Sequence, residues 1–166
     1  MKEGYVVPTI EKVAYGLGDL AINIAYTTIG FYLLFFLVNV AGIPAQWAGL
    51  IFLIARAWDA ITDPIMGMIS DRTKSRFGRR RVYFLFGCIP FGLIFMLIWI
   101  VPSSNQLLLF GYYTAVTILF NTAFTVVAVP YNALMPELSQ NYDERTSISG
   151  YRMSLAFVGN LVAAVG

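Results

Sequence analysis

Ile54 to Asp71 reads I-A-R-A-W-D-A-I-T-D-P-I-M-G-M-I-S-D, and the fold turns on how a stretch like this can exist. It is apolar apart from a few charges and lies between long hydrophobic runs. That places Arg56, Asp59 and Asp63 in the middle of a helix long enough to cross a bilayer. At ~100° per residue, spacings of three and four bring the three side chains within a ~60° arc, so they form one stripe. A charge near the bilayer centre costs ~2.5 to 3.5 kcal/mol on insertion scales, so three of them must face protein, water or a bound ion. The stripe is therefore a candidate functional site in a membrane-spanning helix.

The composition agrees with a membrane setting. The chain of 166 residues is 58% hydrophobic and 12% charged, with a mean hydropathy of +0.71, whereas soluble domains carry about 25% charged residues. There is no histidine, which removes the commonest metal ligand and general base. The single cysteine, Cys88, lies in an apolar run and is expected to be a buried structural thiol with no disulfide. Lys2, Glu3, Glu11, Lys12 and Pro8 make the first twelve residues unlike a signal peptide. The aromatic wealth (13 Phe, 10 Tyr, 3 Trp) is expected mainly on the lipid face and in interfacial belts, with Trp58 and Tyr131 as exceptions to watch.

Outward from the charged stripe, the chain reads as an all-α membrane protein of five transmembrane helices, at about 13–40, 47–70, 82–101, 107–136 and 142–166. Asn141, followed three residues later by Glu144, is a capping signal for the fifth. Asp71 to Arg81 sets Arg72, Lys74, Arg76, Arg79, Arg80 and Arg81 against the single Asp71, a cation density that stays cytoplasmic. The turns around Gly42–Pro44 and Pro102–Gln106 carry no charge. The expected orientation is a multi-pass protein of the inner (cytoplasmic) membrane with its N-terminus in the cytoplasm. Leu155 to Gly166 is still apolar at the end, which reads as the N-terminal helical bundle of a longer protein whose C-terminal half is an expected partner.

With that orientation, a rise of ~1.5 Å per residue puts Asn23, Asp59, Thr125 and Arg152 each about 15 Å from the inner surface, near the middle of the core. Intramembrane charges comprise Asp19, Asp59 and Asp63 against Arg56 and Arg152, leaving one negative charge over. A carboxylate excess with hydroxyl oxygens nearby suits a monovalent metal cation or a proton, because carboxylate oxygens are hard ligands. The plainer alternative is that the two arginines neutralise two of the aspartates as buried pairs, but such pairs are poor stabilisers. For Asp19 that alternative is stronger, since it lies nearer the inner end of its helix. Asp71, at the C-terminal end of the second helix, opposes that helix's dipole and is expected to face an arginine or another helix's N-terminus, as in a gating contact. The Gly78-Arg79-Arg80 turn belongs with it.

At these residues the chain resembles a known family. W-D-A-I-T-D-P-I-M-G (Trp58 to Gly67), D-R-T-K-S-R-F-G-R-R-R (Asp71 to Arg81), Y-G-L-G-D (Tyr15 to Asp19) and P-E-L-S-Q-N-Y-D-E-R-T (Pro136 to Thr146) are similar to the glycoside-pentoside-hexuronide:cation symporters, the melibiose-carrier group of the major facilitator superfamily. The resemblance implies the first part of a twelve-helix, two-bundle transporter. It implies that Asp59 and Asp63 bind the coupling cation, helped by Thr62 and Thr125, and that Asp71 and Gly78 belong to the inner gate, with Arg79 beside them. Arg56 and Arg152 match family arginines on helices 2 and 5. The positions that hold sugar through acidic residues and a Trp in the melibiose carriers look like Asn23, Ala128 and Asn132 here, so the cation half of the site is kept and the galactoside half is not.

The function expected is cation-coupled symport, with Na+ or H+, of a sugar, glycoside, pentoside or hexuronide. Its substrate residues would be Asp19, Asn23, Arg56, Asn132 and Arg152. No cofactor beyond the coupling cation, no nucleic acid and no enzymatic activity is expected; membrane lipid and a small-molecule substrate are the partners. The alternatives are a family member moving a lipid or sulfonated compound, or a non-transporting truncated copy. Gly16-Leu17-Gly18-Asp19 spells the G-x-G-D of intramembrane aspartyl proteases, but those enzymes need a second catalytic Asp on a preceding span, and the chain shows none.

Overall fold

The computed structural model describes residues 8–74, 80–138 and 141–165. Five α-helices account for nearly all of them: α1 (Thr9–Phe35), α2 (Ala45–Arg72), α3 (Arg81–Ile98), α4 (Gln106–Leu138) and α5 (Tyr142–Val165). Among the described residues, Thr9–Val40, Arg81–Ile98, Gln106–Met135 and Glu144–Val165 are long and apolar enough to cross a membrane. At 28 residues α2 has the length as well. The charges of its middle turns lower its hydropathy, as the opening stretch implies.

The helix ends differ from the hydropathy pattern where local chemistry decides them. α1 starts at Thr9 rather than near Val13, because Pro8, which needs no helical donor, lends its carbonyl to the N–H groups of Glu11 and Lys12 at 3.0 and 3.2 Å. Its other end winds into a π-helical turn, Phe36–Val40. There Ala41 N–H donates to Phe36 O, and Ile43 N–H to Leu37 O, both at 2.9 Å. Gly42, at φ +72°, supplies the left-handed residue that stops this helix. α3 stops at Ile98 rather than Val101. Tyrosines of α4 hold two of the carbonyls at that end: Tyr112 Oη donates to Leu97 O at 2.8 Å and Tyr113 Oη to Ile100 O at 3.0 Å. Asn105 begins α4 by accepting the Leu107 N–H at 2.9 Å.

The residues group into two compact units, one of α1 up to Phe31 with α5 and the end of α4, the other from Tyr32 to Asn132. In the first, α1 and α5 run parallel and are cross-linked in register. Lys12 Nζ reaches Glu144 Oε2 at 2.9 Å and Ser147 Oγ at 3.0 Å. Arg152 Nε meets Asp19 Oδ2 at 3.2 Å, and Thr27 Oγ1 donates to Asn160 Oδ1 at 2.7 Å. Gly159 permits the approach, since a Cβ there would lie 2.9 Å from Leu20 O.

In the second unit α2 and α4 are parallel and α3 is antiparallel to α4. Rings join α3 to α4: Phe84 stacks on Tyr131, and Phe91 and Phe95 both contact Phe120, which is fully buried. Phe36 in the π-turn meets Trp99 and Tyr113 edge-on. Many aromatics expected at the lipid face are thus interior glue, because edge and stacking contacts hold helices in lipid where apolar burial alone does not. Cys88 departs from expectation in the opposite direction and is exposed. The same helix also exposes Leu85, Phe86, Ile89, Leu93 and Met96, apolar side chains of a kind that suits lipid.

Candidate functional site

Asp59 and Asp63 lie one turn apart on α2, and Asn121 and Thr125 lie one turn apart on α4. Since the helices are parallel, the two pairs meet rung for rung, each partner 62 positions from its mate. Asn121 Nδ2 donates to Asp59 Oδ2 at 3.1 Å and lies 3.4 Å from Ala55 O. Thr125 Oγ1 donates to Asp63 Oδ1 at 2.7 Å. Asn121 and Thr125 are both buried. A third link, Trp58 Nε1 to Thr122 Oγ1 at 2.8 Å, fastens the same turns and gives Trp58 a structural role beside the site.

The carboxylates are not matched evenly. Arg56 Nη1 is 3.8 Å from Asp59 Oδ2, and the guanidinium side chain is 66% exposed, so the pair is loose. Asp59 Oδ1 is buried and has no hydrogen-bond partner among the described residues. A buried carboxylate oxygen without a donor is costly unless something positive comes to it. Asp63 has its threonine, and a hydroxyl that donates its hydrogen keeps lone pairs to offer an ion. Pro64, inside α2, has no N–H, so the Ala60 carbonyl lacks its helical donor on the same turns. Among the described residues no three His, Cys, Asp or Glu side chains come together. The donor set is two carboxylates with neutral oxygens, which fits a hard monovalent cation better than a transition metal.

Other expected residues fall as follows. The Thr62 hydroxyl donates back to Trp58 O at 3.1 Å and lies 3.5 Å from Asp59 O; it makes no hydrogen bond to either carboxylate. Asp19 is 7% exposed and pairs with Arg152 in the unit of α1 and α5, while Asn23 Nδ2 is bonded to Asp19 O on its own helix at 2.8 Å. Asn132 sits on α4, about two turns beyond Thr125. Asp71 pairs with Arg80 Nη2. Gly78 and Arg79 lie outside the described residues. Sequence reasoning gave Asn121 no role. The signal was there, since Asn121 and Thr125 repeat on α4 the four-residue spacing of Asp59 and Asp63 on α2.

Residues 14–166 match the family model described as MFS/sugar transport protein. The chain belongs to the MFS/sugar transport protein family. Its relatives include an uncharacterised symporter of Synechocystis, 46% identical over 93% of this chain and 29% of that protein. The isoprimeverose transporter of Lactiplantibacillus pentosus is 33% identical over 96% of this chain and 33% of that protein. The sodium-dependent lysophosphatidylcholine symporter 1-A of Danio rerio is 38% identical over 92% of this chain and 29% of that protein. This family member thus spans about a third of the length of these relatives. It is a multi-pass membrane protein, and the resemblance to cation symporters read from its motifs stands.

Proposed function

We propose that this chain carries the cation-handling helices of a secondary active symporter, which couples the inward movement of Na+ or H+ to that of a sugar, glycoside, pentoside or hexuronide. The observation that carries the reading is the buried, unpartnered Asp59 Oδ1 next to the Asp63–Thr125 pair. A cation entering there would exchange water for Asp59 Oδ1, a free oxygen of Asp63 and the lone pairs of Thr125 Oγ1, and would cancel the excess negative charge. The relatives' names support both halves of the reading: one is an isoprimeverose transporter and another is sodium-dependent. Asp19, Asn23, Arg56, Asn132 and Arg152 are assigned to the substrate. The Asp71–Arg80 pair, with Gly78 and Arg79, is assigned to an inner gate that opens and closes on the cytoplasmic side.

A second reading of the cargo has its own support. The positions where the family resemblance leads one to expect acidic sugar ligands hold Asn23 and Ala128, and a relative of similar identity is named for lysophosphatidylcholine. Under this reading the same cation site drives an amphiphile. Both readings share one test. In the full-length natural protein, Asp59→Asn or Asp63→Asn should abolish cation-stimulated accumulation, since each removes an anionic oxygen, while downhill exchange survives. Wild-type cation stimulation in both variants rejects the site. Competition of uptake by a panel of glycosides, hexuronides and a lysophospholipid then separates the cargoes.

A further inference from the structure

One amide on α4 is aimed at α2. Asn121 Nδ2 lies 3.1 Å from Asp59 Oδ2 and 3.4 Å from Ala55 O. Both neighbours only accept, so turning the amide over would set its oxygen against a carboxylate and a carbonyl; its orientation is decided by its surroundings. Asn121 is 9% exposed and sits on a helix, a rigid base for a donor. The effect falls on Asp59. An unrestrained carboxylate rotates and exchanges its two oxygens, whereas here Oδ2 holds the amide and Oδ1 is left buried and without a partner.

We propose that Asn121 is a positioning residue for the coupling cation: by occupying Asp59 Oδ2 it presents Oδ1 to the ion and sets the size of the oxygen cage. This rests on the cation reading given above. A cage whose oxygens are held discriminates between ions by size, and one whose oxygens swing does so less. Asn121 thereby bears on affinity and on the preference between Na+ and Li+ without touching the ion.

The test is equilibrium binding of radiolabelled sodium, with lithium as competitor, to the purified full-length protein. Asn121→Ala and Asn121→Leu should each raise the half-saturating sodium concentration about tenfold or more, the size of a lost hydrogen bond to a charged group, and should flatten the sodium-to-lithium preference. Asn121→Gln, which keeps the donor, should recover part of both. A packing role makes a different forecast, because Leu is close to Asn in size and the Asn121→Leu variant would then bind sodium like the wild type. That result, or wild-type binding in the Ala variant, overturns the proposal. Asp59→Asn in the same assay separates the two levels. If it abolishes sodium binding while Asn121→Leu leaves it intact, only the role of Asn121 fails; if it retains binding, the cation site itself is wrong.

Discussion

Two threonines near the carboxylates make opposite use of the same hydroxyl. Thr125 gives its hydrogen across the seam to Asp63 Oδ1 at 2.7 Å, whereas Thr62 gives its own back to Trp58 O one turn earlier. The first is a charge-assisted bond between helices, and the second is the back-bond that Ser and Thr often make in helix interiors. Thr125→Ala should therefore weaken cation stimulation of uptake by about tenfold in half-saturating concentration, in line with ~1.5 to 3 kcal/mol for a hydrogen bond to a charged group. Thr62→Ala should change it little. A titration of uptake against cation in both variants checks the pair, and a larger loss at Thr62 would restore that residue to the site.

Between elements, the parallel pairs show how polar groups set register where lipid supplies no hydrophobic drive. At the start of the α1–α5 seam, Lys12 is buried against Glu144 and Ser147. Removing one member of a buried pair strands the other charge, at ~3 to 5 kcal/mol, whereas replacing both with apolar residues is often nearly neutral. Lys12→Met and Glu144→Leu should each lower thermal stability in detergent, and the double variant should be more stable than either. Additive losses would mean that the pair does not act as one unit. The α3–α4 seam relies on rings instead, and the α2–α4 seam on the two rungs that also make the candidate site. In that last seam the contacts that hold the helices in register are the same ones that shape the candidate site.

For the molecule as a whole, the basic run at Asp71 to Arg81 against uncharged opposite turns sets the expected orientation. In a Cys88→Ser background, a cysteine at Ser104 should react with an impermeant thiol reagent added outside intact cells, and one at Ser75 should not. The reverse pattern would invert the topology. Replacing Cys88, the single cysteine of the sequence, leaves each introduced cysteine as the one thiol to be read. Since the chain spans about a third of its relatives' length, and transporters of this kind bind cargo between repeated bundles, residues 1–166 alone should insert into liposomes without taking up cargo. Uptake by that segment in liposomes free of other carriers would show that one bundle suffices.

Five helices, their approximate spans and the charged stripe of α2 were legible in the sequence, because lipid imposes a length on apolar runs and the helical period alone puts Arg56, Asp59 and Asp63 on one face. The motif resemblance added the family and the expectation that the two aspartates of that stripe bind a cation. Periodicity says which residues share a face but not what that face meets. The partnership of Asp59 with Asn121, the inward turn of the Thr62 hydroxyl and the use of aromatics as interior glue followed only once α2, α3 and α4 were packed in register. The exposure of Cys88 and the early end of α3 have the same origin. Each depends on which neighbouring helix lies opposite and in which direction it runs, and that is decided by packing between segments far apart in the chain.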